Sequence, residues 1–232
     1  MKKTETIEHP KPEALAEWYD ERVRIYGRDI RACSYFSKGS FLARQRLVLE
    51  MLGTLAGRKI LDIGCGPGLM TEPLAGTNSL TGLDISFEML RLARKESSPV
   101  QGRACSLPFH DSSFDFVLAI ESIQHSPDPV PFLQEMIRVT RPGGELVFSS
   151  LHASSLFHSL KKLTGGYEGL IFHPLRDIDR VLSRETDKQQ TVFLAFPFPF
   201  AWKAPHFFLP SFLASSWILH CVKKKEGKNP PA

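Results

Sequence analysis

A glycine-rich turn after a short apolar run is the feature that most restricts the fold of this chain. Residues 60–63 form an apolar run, interrupted once by an acid, of the kind found in buried parallel strands. Residues 64–68 carry the sequence Gly-Cys-Gly-Pro-Gly, so the backbone can turn sharply and a ligand can approach it closely. Pro67 suits the first turn of a helix, and we expect that helix to run through residues 71–75. A strand, a glycine turn and a helix in this order bind nucleotide-type ligands at the carboxyl edge of a sheet.

The spacing of the glycines indicates which kind of ligand fits. A dinucleotide-binding turn has the pattern G-x-G-x-x-G. Counted from Gly64 or Gly66, the third glycine of that pattern would fall on Leu69 or Thr71, so the chain lacks it. The pattern present is D-x-G-x-G-x-G, which begins at Asp62. A carboxylate there would repel a pyrophosphate and attract a cation, which disfavours an NAD-dependent dehydrogenase.

Several phrases resemble, in the same order, those of the class I S-adenosylmethionine-dependent methyltransferases. They are the glycine turn with Asp62, the acidic strand end at residues 80–84, and residues 107–115 and 138–144. The similarity is to the small-molecule group that includes ubiquinone and menaquinone methyltransferases. It implies an α/β fold with a Rossmann-like, seven-stranded, mostly parallel sheet, an antiparallel last strand and helices on both faces. It also implies S-adenosyl-L-methionine as the cofactor and a small-molecule acceptor.

Strand and helix patterns alternate along the chain, as they do in parallel sheets covered on both faces. The patterns predict strands at residues 58–63, 79–84, 100–105, 114–120, 145–149, 190–196 and 216–222. They predict helices at residues 13–26, 41–55, 86–95, 128–140 and 174–184, with Ser86 and Asp128 as caps. We expect a disordered tail at 1–12, a single domain at 13–222 and a basic tail at 223–232. Within that domain, 13–57 would be a helical cap, 58–150 the cofactor core, and 151–222 the substrate side.

Composition excludes several classes of protein. The 232 residues carry a net charge of only +4 and no long basic face, so no nucleic-acid partner is expected. The four cysteines form no C-x-x-C pair, which disfavours a zinc site or a disulfide framework and indicates a reducing, cytoplasmic compartment. The polar segment 1–12 lacks the apolar core of a signal peptide. The segment 204–222 carries no Asp, Glu, Lys or Arg, but its two prolines make it a poor transmembrane helix. A monomer and a homodimer both remain open.

The resemblance implies a set of cofactor contacts. The glycines would leave room for the cofactor, Asp84 would accept hydrogen bonds from both ribose hydroxyls, and Asp62 would receive the amino group. Arg103 stands where the family usually has an acid that binds the adenine amino group, so backbone groups of the next two residues would take that role. The full set of expected contact residues is Asp62, Gly64, Cys65, Gly66, Gly68, Asp84, Ile85, Met89, Ala104, Cys105 and Glu121.

His125 is the candidate catalytic residue. It lies four residues after Glu121, in the loop that follows the fourth predicted strand. One hypothesis is that it deprotonates or orients a hydroxyl acceptor. The alternative is that it bonds the loop backbone or shapes the wall of the pocket. A non-catalytic cofactor-binding module is a further alternative, although the chain keeps both acids and all three glycines.

Sequence features also narrow the acceptor. The segment after the fourth strand lacks the Asn/Asp-Pro-Pro-aromatic motif of enzymes that methylate amino groups of DNA and RNA. No cysteine lies near that strand, which disfavours the enzymes that methylate cytosine carbon in RNA, because they need a nucleophilic cysteine there. Protein and nucleic-acid substrates nevertheless remain the alternative. Aromatic residues are dense between 193 and 217, which predicts a cap over an apolar or aromatic acceptor and a peripheral membrane contact. The competing interpretation is that these residues pack the last two strands and a dimer contact.

Overall fold

A computed structural model describes residues 14–35, 37–93, 97–156, 158–159, 170–195, 200–203 and 214–225. The helices are α1 (Leu15–Tyr26), α2 (Lys38–Leu52), α3 (Phe87–Arg91), α4 (Pro129–Val139) and α5 (Leu175–Leu182), with 3₁₀ turns at Glu72–Leu74 and Ile123–His125. The strands are β1 (Lys59–Ile63), β2 (Ser79–Asp84), β3 (Ser97–Gln101), β4 (Phe114–Ala119), β5 (Thr140–Leu151), β6 (Thr186–Ala195), β7 (Phe200–Lys203) and β8 (Ser216–Lys223).

The strands form one sheet in the order β3-β2-β1-β4-β5-β8-β6-β7. The five strands from β3 to β5 pair in parallel, and β8 pairs antiparallel with both β5 and β6. The predicted mostly parallel sheet with an antiparallel last strand is confirmed. The structure adds one short edge strand, β7, which pairs antiparallel with β6.

Two apolar layers cover the sheet, one on each face. On one face, Leu61 and Ile63 of β1 pack with residues of α4 and α5. On the other face, Ile60 packs with α2 through Phe41 and Val48. Alternate residues of a strand point to opposite faces, so a strand buried on both sides must be apolar almost throughout. This explains why three of the four buried residues of β1, Ile60, Leu61 and Ile63, are apolar.

Helix ends follow the predicted caps. Ser86 Oγ accepts a hydrogen bond from Met89 N at the start of α3, and Asp128 accepts one from Val130 N at the start of α4. At the other end of α4, Lys223 Nζ donates to the carbonyls of Ile137 and Thr140. The strand β8 thus extends by one residue into the segment predicted as a basic tail.

Several predicted elements were wrong in extent, including α2, which spans 38–52 rather than 41–55, and β6, which begins at Thr186 rather than at 190. The helix expected after the glycine turn is a single 3₁₀ turn, because Pro73 would lack a donor inside a helix and Gly76 has a φ of +83°. The third strand lies at 97–101 rather than 100–105, and its Pro99 is tolerated because β3 is an edge strand. The fifth strand begins at Thr140, directly after α4, rather than at 145.

Several predictions lie outside the described residues. They concern the tail at 1–12, residues 160–169 of the predicted substrate side, part of the aromatic segment, at 196–199 and 204–213, and the predicted basic tail from 226 to 232. Within the described ranges, no helix is long and apolar enough to cross a bilayer.

Candidate functional site

The candidate site lies at the carboxyl ends of β1, β2 and β4. The chain order reverses between β1 and β4, and the crevice at such a reversal is where open α/β sheets bind ligands. A cavity of about 230 Å³ opens there. Among the residues that line it are eleven of the twelve predicted site residues: Asp62, Gly64, Cys65, Gly66, Asp84, Ile85, Met89, Ala104, Cys105, Glu121 and His125. The twelfth, Gly68, lies outside the cavity lining.

The glycine turn brings backbone close to the cavity. Gly64 N donates to Leu83 O at 2.7 Å, which ties the turn to the end of β2. Gly64 has a φ of +72°, and a Cβ at this position would lie 2.7 Å from Ser122 Oγ. Gly68 also has a φ of +72°, but a Cβ there would meet nothing within 4 Å. Gly68 therefore serves the turn through its backbone conformation alone, whereas Gly64 also leaves space for the Ser122 side chain.

Asp84 ends β2 with its carboxylate held by two backbone donors. Gly66 N donates to Oδ2 at 2.8 Å and Ser86 N donates to Oδ1 at 2.9 Å. Burial raises the pKa of this carboxyl above its ordinary value, and the hydrogen bonds from Ser86 and Gly66 oppose that rise. Each carboxylate oxygen has two lone pairs, so both keep capacity for a second donor such as a ribose hydroxyl.

Asp62 is the most deeply buried acid of the site, with 2% of its surface exposed. Thr71 Oγ1 donates to its Oδ2 at 2.8 Å. Burial raises its pKa from 3.8 to about 7, the Thr71 hydrogen bond lowers it, and the charge of Asp84 raises it further. Among the described residues, no lysine, arginine or histidine pairs with either Asp62 or Asp84.

Glu121 differs from the two aspartates because a buried arginine compensates its charge. Arg44 Nη2 lies 3.3 Å from Glu121 Oε1, and Ser149 Oγ donates to the same oxygen at 3.1 Å. Gln124 Nε2 donates to Oε2 at 3.2 Å. Arg44 also donates to Ser216 Oγ at 2.9 Å, which links α2 to β8. Both carboxylate oxygens of Glu121 are thus already bonded within the protein.

His125 forms a hydrogen bond with Tyr19, a residue of the first helix. Its Nε2 lies 3.1 Å from Tyr19 Oη on α1, and the two rings make an edge-to-face contact with centroids 5.8 Å apart. The backbone of His125 is held in the 3₁₀ turn by Ser122 O. Burial raises the pKa of the Tyr19 hydroxyl above its ordinary value, so Tyr19 stays protonated.

The helix α1 covers the cavity and is anchored on α3. Asp20 Oδ1 accepts hydrogen bonds from Ser86 Oγ at 2.5 Å and from Glu88 N at 3.2 Å, and so adds a second cap to that helix. Tyr19, one residue earlier, lines the cavity together with Leu15. The predicted helical cap therefore supplies walls of the site.

The residues predicted to contact adenine lie on two segments of the cavity wall. Met89 and Ile85 line the cavity from the β2–α3 connection, and Ala104 and Cys105 line it from the segment after β3. Gly102 N donates to Asp84 O at 3.0 Å, which holds these segments together. Arg103 also lines the cavity.

Sequence reasoning missed four residues around the site: Tyr19, Cys33, Arg44 and Thr71. Tyr19 falls within the helix predicted at 13–26 and belongs to no motif, and Arg44 gives no signal because an arginine on a helix is usually exposed. Thr71 lies nine residues after Asp62 and was considered only as a missing glycine. Of the aromatic segment, Phe193 and Trp217 pack in the core and do not line the cavity.

The described residues contain no group of three or more potential metal ligands placed to hold an ion.

A family model described as "Methyltransferase domain" matches residues 61–148. Demethylmenaquinone methyltransferase from Renibacterium salmoninarum is 33% identical over 141 residues, which cover 59% of this chain and 58% of that protein. Ubiquinone biosynthesis O-methyltransferase from Salmonella arizonae is 33% identical over 117 residues, covering 45% and 47%. The chain thus spans about half the length of the curated relatives it matches.

Solved structures share the fold over most of the chain. A Thermotoga maritima protein described as a SAM-dependent methyltransferase, possible histamine N-methyltransferase, superposes with a TM-score of 0.69 at 21% identity. That match covers 90% of this chain and 99% of the other. Magnesium protoporphyrin IX methyltransferase from Synechocystis, solved with bound SAH, has a TM-score of 0.65 at 20% identity, covering 92% and 98%.

Proposed function

We propose that the chain is a class I S-adenosylmethionine-dependent methyltransferase that transfers a methyl group from S-adenosyl-L-methionine to a small apolar or aromatic acceptor. The match of residues 61–148 to a methyltransferase-domain model and the similarity to demethylmenaquinone methyltransferase support this. S-adenosylmethionine supplies a methyl group activated on a positively charged sulfur. The chain's own part is to bind the cofactor, to orient the acceptor and to exclude water.

One observation carries the cofactor assignment: Asp62 is a buried carboxylate that no described cation compensates. A buried acid is costly to ionise unless a ligand brings a positive charge. The ammonium group of a methionine moiety would do so, and a pyrophosphate would add repulsion. The D-x-G-x-G-x-G turn supports the same ligand, since Gly64 and Gly66 line the cavity with backbone and no side chain.

The other proposed cofactor contacts follow from where each residue lies in the cavity wall. Asp84 would accept the ribose hydroxyls, because its two oxygens are fixed by backbone donors and keep free lone pairs. Ile85 and Met89 would flank the adenine. Backbone groups of Ala104 and Cys105 would contact its edge. Glu121 would shape the site through its pair with Arg44 rather than bind the cofactor with a free carboxylate.

The cavity wall supports an apolar acceptor. Apolar and aromatic side chains also line the cavity from α2 and the segment before it, from the segment after the glycine turn and from the residue after β4: Tyr35, Phe41, Leu69, Met70 and Ile120. Pockets of this composition suit flat or lipid-like molecules. The named quinone-pathway relatives favour the same chemical class.

Calorimetry with S-adenosylhomocysteine tests the cofactor assignment. We expect saturable one-site binding by the wild type and a loss of at least about tenfold in affinity for Asp84→Ala, since a charged hydrogen bond contributes roughly 1.5–3 kcal/mol. Asp111→Ala is the matched control, because that carboxylate is 77% exposed and bonds Arg138 outside the site. A folded wild type that binds neither S-adenosylhomocysteine nor S-adenosylmethionine would overturn the proposal.

The acceptor class is tested by transfer of a labelled methyl group. The protein is incubated with methyl-labelled S-adenosylmethionine and with separate lipid, polar-metabolite, protein and RNA fractions of cells. We expect label in the organic extract of the lipid fraction. Label confined to protein or RNA would show that the acceptor is a macromolecule and would refute the small-molecule assignment.

A further inference from the structure

Tyr19 and His125 form a hydrogen-bonded pair inside the cavity, although 106 positions separate them in the chain. Both side chains line the same cavity as Asp62 and Asp84. The pair thus lies where a cofactor and an acceptor would meet. Nothing in the sequence pattern connects the two residues.

The direction of this hydrogen bond decides what each group can do. A tyrosine hydroxyl has one proton to donate and two lone pairs to accept with, whereas a neutral histidine has one donor and one acceptor nitrogen. If Tyr19 donates to His125 Nε2, that nitrogen is occupied and cannot itself meet an acceptor. The oxygen of Tyr19 then keeps a lone pair for a second hydrogen bond within the cavity.

We propose that Tyr19 takes the proton of the methyl acceptor and passes its own hydroxyl proton to His125 Nε2. The proposal rests on the methyl transfer proposed above. As the acceptor's O–H or N–H bond breaks, its proton joins Tyr19 Oη and its electron pair forms the bond to the methyl group. The methyl–sulfur bond of S-adenosylmethionine breaks in the same step, its electron pair stays on sulfur, and S-adenosylhomocysteine leaves. The Tyr19 proton moves to Nε2, so the tyrosine ends neutral and the imidazole ends as a cation that later releases its proton to water.

The surroundings of Tyr19 suit this role. Asp20, its neighbour on α1, is anchored to the start of α3, which holds this part of the helix against the core. Trp18 packs edge-on against the Tyr19 ring with centroids 4.8 Å apart. Because the neutral hydroxyl is favoured by burial, Tyr19 keeps a proton to pass on at neutral pH. The two hydrogen bonds of Asp20 and the ring contact with Trp18 together restrict where the Tyr19 hydroxyl can point.

The competing explanation is that the bond only ties α1 to the loop after β4. That role would be served equally well by His125 donating from Nε2 to the Tyr19 oxygen. A purely structural bond therefore permits either tautomer of His125, whereas the relay permits only one. The relay requires Nε2 without a proton and Nδ1 with one in the neutral protein.

The tautomer is measured by nitrogen NMR on histidine-labelled protein at about pH 8, with and without S-adenosylhomocysteine, a condition at which free imidazole is neutral. The chain has eight histidines, so His125→Gln assigns the signal. We expect an unprotonated, hydrogen-bonded Nε2 in the wild type, and a shifted Nε2 signal in Tyr19→Phe. Tyr26→Phe, which removes a hydroxyl from the same helix away from the pair, should leave the signal unchanged. A protonated Nε2 in the wild type, or an identical spectrum for Tyr19→Phe, would overturn the relay.

Binding and turnover separate this proposal from the cofactor assignment. Tyr19→Phe should bind S-adenosylhomocysteine within about twofold of the wild type, and failure of the wild type to bind would instead refute the proposed function. With an acceptor whose methylated atom carries a proton, Tyr19→Phe and His125→Gln should each lower kcat by about 100-fold or more with little change in KM. The double variant should lose no more than either single variant. Additive losses would show that the two residues act independently.

Discussion

Thr71 Oγ1 donates a 2.8 Å hydrogen bond to Asp62 Oδ2, and the described part of the chain offers this carboxylate no other hydrogen bond. One neutral donor is little compensation for a carboxylate that is almost fully buried. The pKa of Asp62 is accordingly raised to about 7, so the acid titrates near neutrality. If Asp62 binds the cofactor, the affinity for the cofactor should therefore depend on pH near neutrality.

Affinity for S-adenosylhomocysteine should rise with pH as Asp62 ionises. An ionised Asp62 binds the ligand's ammonium group, and a protonated one does not. With a pKa of about 7, affinity should be about tenfold weaker at pH 6 than at pH 8. Calorimetry across this range checks the prediction. Asp62→Asn should bind weakly at both pH values, and an equal wild-type affinity at the two would contradict the assignment.

Asp62→Asn should stabilise the ligand-free protein more at high pH than at low pH. The folded-state pKa of Asp62 is raised above its unfolded value, so its contribution to stability is complete below about pH 4 and is lost as pH rises through about 7. Asparagine does not titrate and keeps an acceptor for Thr71. Its free energy of unfolding should exceed that of the wild type by up to about 4 kcal/mol at pH 8 and by less at pH 5.

Urea unfolding of the ligand-free proteins measures this difference. Asp111→Asn is the control, since an exposed carboxylate contributes little at either pH. A destabilised Asp62→Asn at pH 8 would show that the burial of this acid is compensated by a group that the contacts above do not include.

Removing one partner of the Arg44–Glu121 pair should be costly. Either Arg44→Met or Glu121→Gln leaves buried polar groups without compensation, and the expected loss in unfolding free energy is about 3–5 kcal/mol for Arg44→Met. Arg46→Met on the same helix is the control, because Arg46 pairs with Glu50 in solvent, with exposures of 81% and 54%. That variant should lose no more than about 0.5 kcal/mol. Similar losses for Arg44→Met and Arg46→Met in urea unfolding would contradict the buried pair.

Gly64→Ala should harm both the fold and cofactor binding. The left-handed φ costs an alanine roughly 1–2 kcal/mol, and its Cβ would also lie under 3 Å from two atoms of Ser122. Gly53→Ala has a similar φ of +65° with nothing within 4 Å, so it should show the conformational cost alone. Ser122→Gly in the Gly64→Ala background should recover part of the lost stability. Equal unfolding free energies for Gly64→Ala and Gly53→Ala would show that the contact is unimportant.

Local patterns were enough to predict the central part of the fold. Apolar runs placed β1, β2 and β4 within one residue of their observed bounds, and the caps Ser86 and Asp128 were correct. These signals are local because a buried strand or a helix start depends on a few adjacent residues. The edge strands were harder, since β3 contains Pro99 and two serines and β7 pairs only with β6. An edge strand can be polar or short without loss of the core.

The sequence by itself determined the strand that leads into the glycine turn and the placement of Asp62 and Asp84 at one edge of the sheet, because parallel strands bring their carboxyl ends together. Only the tertiary structure decided that Glu121 is neutralised by Arg44, that Asp62 has Thr71 as its hydrogen-bond partner, and that Tyr19 meets His125. These contacts join segments that no local periodicity relates. Which side chains meet depends on how helices pack over the sheet, and a hydrogen bond forms or fails within a few tenths of an ångström.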